Sequence, residues 1–209
     1  ATSELTQLCH HLCQCGKPRL AWRVLEAVSY SVYMDGDYET FLRCFRLVVS
    51  SSPPRYLQFS KRRWSWVWIR EGRIFKMRGE LQESRRKFEA LEKVSSGREL
   101  LATIKELADV ARLGEDYDGA LSLFQRARNL DALWARDARD RMITLKQIGH
   151  TYRELGEWDL ARQHIRASLD GRTPSDRTGI ASCKKALGEV SWQKIRQECG
   201  AAVPSDDHF

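Results

Sequence analysis

Cys9-His10-His11-Leu12-Cys13-Gln14-Cys15 gathers three thiols and two imidazoles into seven residues. These are zinc-ligand types, and a structural zinc site needs about four of them in a tetrahedron. On a helix Cys9 and Cys13 share a face, but no second ligand pair with zinc-like spacing follows, because Cys44 and Cys183 stand alone. The cysteines read as reduced, packed thiols, with neither metal nor cofactor assigned. A second constellation, Lys61-Arg62-Arg63-Trp64-Ser65-Trp66-Val67-Trp68, interleaves cations with indoles. Cations meet phosphates and indoles stack on bases, so this stretch could hold single-stranded nucleic acid. Trp64 and Trp68 lie one helical turn apart, which points at least one of them into a core instead. Catalysis finds no support. His10, His11, His150, His164 and His208 sit in no nucleophile motif, and no glycine loop is built to cradle phosphate. Glu115 and Asp116 read as helix-start acids. The chain reads as a binding protein and not an enzyme.

Composition narrows the class. Of 209 residues 42% are apolar and 30% charged, the balance of a folded chain and not of a disordered one. No apolar run approaches the roughly 18 to 20 residues that a membrane span needs. Ala1 to Glu4 lack the basic-then-apolar order of a signal peptide. The reduced thiols predict a cytoplasmic or nuclear protein, and no membrane attachment is expected. A start at Ala1 instead of Met leaves room for a segment of something longer. The formal charge of +7 favours acidic partners without choosing among them.

The elements that must position these residues are helices. Ile104, Leu107, Ala108 and Ala111 recur at helical spacing, and after Gly114 to Asp116 the pattern resumes with Ala120, Leu123 and Phe124. Glycine tolerates the left-handed cap that ends a helix, and an acid suits the start of the next. Arg78-Gly79-Glu80-Leu81 and Leu155-Gly156-Glu157-Trp158 repeat that punctuation, and Cys15-Gly16-Lys17-Pro18 does so near the start. Asp37-Tyr38 opens an extra helix over 37–50, which Pro53 and Pro54 end. Residues 175–197 read as one last helix, with Ile180, Ala181, Leu187, Val190 and Ile195 apolar.

The helix pairs repeat. Phe88 and Phe124 are 36 residues apart, and Ala120 and Ala161 are 41 apart. Leu145, Ile148, Gly149, Tyr152, Gly156, Trp158, Ala161, Ile165 and Ser168 fall in the register of the tetratricopeptide repeat, a helix-turn-helix unit of about 34 residues. Ile104, Leu107, Ala108, Ala111, Tyr117, Ala120, Phe124 and Ala127 follow it again, Trp68 to Leu91 more weakly, and Leu5 to Leu25 once more. The sequence therefore resembles the tetratricopeptide repeat family over about two thirds of its length. Small residues pair across each turn: Cys9 with Ala21, Gly72 with Ser84, Ala108 with Ala120, Gly149 with Ala161. A single pair cannot bury its apolar face, so pairs must stack. The chain departs from the family in lacking the proline that usually ends each repeat.

The resemblance implies an all-α, right-handed α-α solenoid of about nine or ten helices. The segments would be an N-terminal pair plus an extra helix in 1–52, three repeats in 55–174, a capping helix in 175–197 and a frayed tail in 198–209. It also implies a concave groove lined by the first helix of each pair. The register puts Trp66, Arg70, Arg73 and Lys76 on that face, then Lys105 and Arg112, then Lys146, His150 and Arg153. Cations outnumber acids there, so the expected function is a scaffold or adaptor that takes an acidic or mixed segment of another protein. The alternative is an RNA or single-stranded DNA binder using residues 61–76. Some family members clamp a C-terminal carboxylate with Lys and Asn. Lys105 fits such a clamp, but the expected Asn is Asp109 here.

Overall fold

The computed structural model describes residues 2–34, 36–134 and 138–199. Among them are eleven helices and no strand: α1 (Thr2–Gln14), α2 (Pro18–Met34), α3 (Tyr38–Ser50), α4 (Pro54–Arg63), α5 (Ser65–Met77), α6 (Leu81–Glu92), α7 (Gly97–Leu113), α8 (Tyr117–Trp134), α9 (Ala138–Glu154), α10 (Trp158–Asp170) and α11 (Arg177–Glu198). The all-α repeat class expected from the sequence is the one observed. The tail expected to fray lies, beyond Cys199, outside the described residues. The chain divides into two compact units, Ala1–Glu106 and Leu107–Phe209, with the boundary inside α7.

The first unit is built around aromatic residues. Trp22 of α2 is fully buried and stacks on Trp68 of α5 at 5.7 Å between ring centroids, while Phe45 of α3 meets both rings edge-on. The Trp22 indole N–H donates to Ser52 Oγ at 3.3 Å. Helix α3 contributes Phe41, Leu42, Cys44, Phe45 and Val48, all buried, so the extra helix is woven into the core of this unit. The helix count exceeds the sequence expectation because the chain breaks at Trp64 (φ −114°, ψ 31°), which separates α4 from α5. That break lets Trp64 bury its ring while Trp68, four residues on, reaches Trp22.

The small-residue pairs do what their size predicts. Cys9, Ala21, Ser84, Ala108, Ala120 and Ala161 are fully buried. Ser84 Oγ donates to the Gly72 carbonyl at 2.9 Å, and a Cβ on Gly72 would lie 2.6 Å from the Phe88 ring. A Cβ on Gly149 would meet Ile165 at 2.5 Å and the Ala161 carbonyl at 3.1 Å. In the second unit Phe124 of α8 fills the space among Ala108, Ala111, Ala120 and Ile148, and α10 and α11 share Ala161, Ile165, Cys183, Ala186 and Val190.

The turns inside the pairs share one hydrogen-bond pattern. Gly79 N–H donates to Lys76 O at 3.1 Å and Glu80 N–H to Phe75 O at 2.9 Å. Gly156 and Glu157 repeat this onto Arg153 and Tyr152. Such a cap requires a left-handed residue, which Gly79 (φ 76°) and Gly156 (φ 77°) supply at no steric cost. In the turn between α7 and α8 the same place falls to Glu115 (φ 62°), with Gly114 one position too early to serve. Left-handed backbone costs an L-residue about 1–2 kcal/mol, and glycine's extra freedom in the unfolded chain returns about 0.5–1 of it. Glu115→Gly is therefore expected to stabilise the protein by about 0.5–1 kcal/mol. A urea midpoint at or below that of the wild type would show that the turn is not strained there.

Candidate functional site

The residues expected to line a ligand face fall on α5 and α7 in the first unit and on α7 and α9 in the second. On α5, Trp66, Arg70, Arg73 and Met77 recur at spacings of four, three and four, which places them along one side of a helix. Trp66 and Met77 are 46% and 53% exposed, large apolar side chains at the two ends of a cationic stripe. The Arg70 guanidinium lies over the ring of Tyr30 at 5.2 Å, a cation–π contact to a tyrosine that is itself largely exposed. Tyr30 sits on α2, outside the region where the repeat register could be assigned to a face, so sequence reasoning missed it.

Arg73 and Lys76 meet an acid. Arg73 Nε and Lys76 Nζ both lie 2.6 Å from the Glu106 carboxylate, one on each oxygen. Glu106 is buried, with its side chain 9% exposed. Burial pushes its carboxyl upward, but the charges of Lys76 and Arg73 and their hydrogen bonds outweigh that and hold it below the ordinary range. Lys105, its neighbour on α7, is half-buried.

In the second unit Lys146, His150 and Arg153 share one face of α9, as their spacing predicts. That face is tied to α11. Lys146 Nζ donates to Ser182 Oγ at 2.9 Å, and Arg153 pairs with Glu189 at 2.5 Å and with Glu154 at 2.7 Å. Arg112 lies 3.7 Å from Asp109 on its own helix. The missed partners had a signal, since Ser182 and Glu189 each follow their cation by 36 residues, about one repeat. Arg73 and Glu106 obey nearly the same interval, at 33.

His150 sits among these cations. Burial, then Arg153, Lys146 and Arg112, lower its pKa from 6.5 to about 4, against a weaker pull from Glu189. The unfolded chain takes up the proton first as pH falls, so this group withdraws stability between pH 6.5 and about 4. His150→Gln is expected to flatten that part of the stability profile. Urea midpoints of both proteins at pH 7 and pH 5 test it, and an equal drop in the two would contradict the assignment.

The basic-aromatic stretch is divided by the fold. Trp64 is 5% exposed and Trp68 is stacked in the core, which leaves Trp66 as the exposed indole of the three. Lys61 and Arg63 lie over the rings of Trp68 and Trp64 at 5.3 and 5.2 Å. The N-terminal thiols are also divided. Cys9 and Cys44 are buried, Cys13 is half-buried and Cys15 is exposed. The hydrogen bond from Cys9, with a further one from Thr6, lowers the Cys44 thiol to about 7 despite burial.

The helix pairs, their closely packed small residues and their glycine-capped turns have a counterpart among known families. The family model for the tetratricopeptide repeat matches residues 99–173. Over that stretch the chain is similar to tetratricopeptide repeats. Tetratricopeptide repeats are in general protein-interaction scaffolds and typically non-enzymatic. Several solved structures are similar over most of the chain. BtubC (BKLC) from P. vanneervenii superposes with a TM-score of 0.64 at 13% identity, over 100% of this chain and 93% of that one. The kinesin light chain TPR-like repeats of Podosopora anserina give 0.54 at 15%, over 94% and 88%. MamA protein gives 0.52 at 11%, over 88% and 97%. At such identities the likeness is one of fold. No curated protein matches the sequence. No helix among the described residues is long and apolar enough to cross a membrane.

Proposed function

We propose that this tetratricopeptide chain is a protein-interaction scaffold or adaptor, and that the α5 face receives an acidic segment of a partner protein. The observation that carries the reading is the stripe Trp66, Arg70, Arg73, Met77. Exposed large apolar side chains are anchors when a partner covers them, and arginine and tryptophan are the types that most often dominate binding energy. Two guanidiniums between the anchors select for carboxylates and against basic segments. Arg73 is already engaged by Glu106, and Lys76 is more so, being 17% exposed. Lys105 belongs with them as a rim cation. On α9, Lys146 and Arg153 serve first to hold α11, so their removal acts on the fold as well as on binding. In the repeat family the first helices line the groove, and these are first-helix positions.

The test is capture of partners from nuclease-treated lysate by the wild-type protein and by a Trp66→Ala, Arg70→Glu variant, followed by titration of the recovered partner. Trp66 is exposed and Arg70 half-buried, and an unchanged circular dichroism spectrum of the variant checks that its fold is kept. Loss of an anchor and reversal of one charge predict about a hundredfold weaker binding. Unchanged affinity would refute the assignment. Partners captured from untreated lysate and lost on nuclease treatment would transfer the case to residues 61–76.

A further inference from the structure

A polar cleft of about 450 Å³ opens in the second unit where the α10–α11 loop meets the start of α9, well away in sequence from the α5 face. Arg139 comes from the first turn of α9, Arg172 from the loop and Arg177 from the first position of α11. Thr173, Ser175 and Thr178 add hydroxyls, and Asp176 is the one carboxylate in the lining. Neither the repeat register nor the groove reading assigns a role to any of these residues.

Asp176 is fully occupied. It accepts from Gly179 N–H at 3.1 Å, capping α11, and it takes the Arg172 guanidinium, with Arg139 a further 3.7 Å away. The lining therefore holds one carboxylate and three arginines, two of which Asp176 meets. Arg172 is the decisive member. Its side chain is only 2% exposed, yet its Nε has no hydrogen-bond partner, and its NH2 reaches Ser168 Oγ only at 3.4 Å. Asp176 already neutralises Arg172, so the two exposed arginines of the lining, Arg139 and Arg177, leave the cleft with an excess of positive charge that favours an anion. The position of Arg172 is built in: a methyl group at residue 179 would collide with the guanidinium, so glycine lets Arg172 lie against the first turn of α11. That turn also contributes backbone N–H groups without intrahelical acceptors and the positive end of the helix dipole.

We infer that the cleft binds a phosphate monoester, with Arg139 and Arg177 closing on its oxygens above Arg172 and the start of α11. Planar guanidinium forks match phosphate oxygens in pairs, hydroxyls donate to the rest, and helix N-termini favour the charge. A cleft of this size also has room for the group that carries the phosphate. That carrier is either a small phosphorylated molecule or a phosphorylated side chain, and the chemistry recognised is the same.

Calorimetric titration of the full chain at fixed ionic strength tests it, with three probes: inorganic phosphate, a blocked tripeptide with central phosphoserine, and the same tripeptide with serine. The expected result is saturable one-site binding of the two phosphorylated probes and none of the serine peptide. Arg139→Gln with Arg177→Gln, both exposed and outside the core, should weaken binding at least about tenfold, for the loss of two charge-assisted contacts, with an unchanged circular dichroism spectrum. A phosphoserine peptide that binds more tightly than phosphate supports a protein side chain as carrier, and equal affinities support a small phosphorylated ligand. Absence of saturable phosphate binding, or wild-type affinity in the double variant, would overturn the site.

Discussion

Phe124→Ala is expected to destabilise the protein by about 3–5 kcal/mol, the range for removing a buried aromatic ring. Phe124 is 1% exposed and is surrounded by Ala108, Ala111, Ala120 and Ile148. Three of those neighbours are alanines, whose side chains have no rotamers with which to fill the space left behind. The cavity should therefore persist, which puts the cost in the upper part of the range. Against a total domain stability of about 5–15 kcal/mol, such a loss removes roughly a quarter or more of what holds the unit together. Urea unfolding monitored by circular dichroism reads it directly. A loss below about 1 kcal/mol would mean that Phe124 is not the ring on which this pair of helices closes.

The second large effect belongs to Glu106. Its carboxylate holds Arg73 and Lys76 at 2.6 Å each. Removing one partner of a buried ion pair leaves uncompensated charge, and typical costs are about 3–5 kcal/mol. Arg73 keeps 30% of its side chain in solvent and can rehydrate, so Glu106→Ala should cost about 3 kcal/mol, the lower end of that range. Arg73→Gln should cost much less, because Lys76 still satisfies the acid. The pH dependence has a definite sign. The folded-state carboxyl is held below its ordinary 4.5, so its contribution is complete above that pH and is lost as pH falls through the folded value. The wild type should lose stability on acidification more steeply than Glu106→Gln, and parallel profiles would argue against the network. The same network bears on binding: Arg73→Glu would set two acids against each other, so charge reversal at Arg70 is the cleaner probe of the ligand face.

Much of this architecture was legible because the close packing of helix pairs writes itself in small residues. Gly72 with Ser84 and Gly149 with Ala161 are buried contacts whose spacing alone announced two helices in close approach. The helix ends were legible for the same reason at Gly79 and Gly156. Glu115 shows where that reading fails, since the left-handed position is fixed by hydrogen-bond geometry and the nearby Gly114 misdirects it. The break at Trp64 was hidden because the apolar pattern runs on through it; only the burial of Trp64 and the stacking of Trp68 on Trp22 show why the chain turns there.

Which residues share a side of α5 or α9 was legible from helical spacing, but which charges are paired was not. Helical spacing put Lys146, His150 and Arg153 together correctly, yet counting cations could not foresee that Glu189 and Ser182 would meet two of them. Neutralisation across neighbouring helices depends on which residue one repeat further on points back. Tyr30 was invisible for a different reason, because its role comes from lying beneath Arg70 and not from its place in α2. The cleft around Arg172 lies in a loop, where periodicity carries no information.

We propose that the α5 face selects acidic segments of other proteins. A random peptide display library panned against nuclease-treated protein, in parallel with the Trp66→Ala, Arg70→Glu variant, tests it most directly. The account predicts enrichment of peptides that combine Asp or Glu with a large apolar residue, and loss of those peptides on the variant. Enriched peptides without acidic bias, or ones that bind both proteins equally, would contradict it.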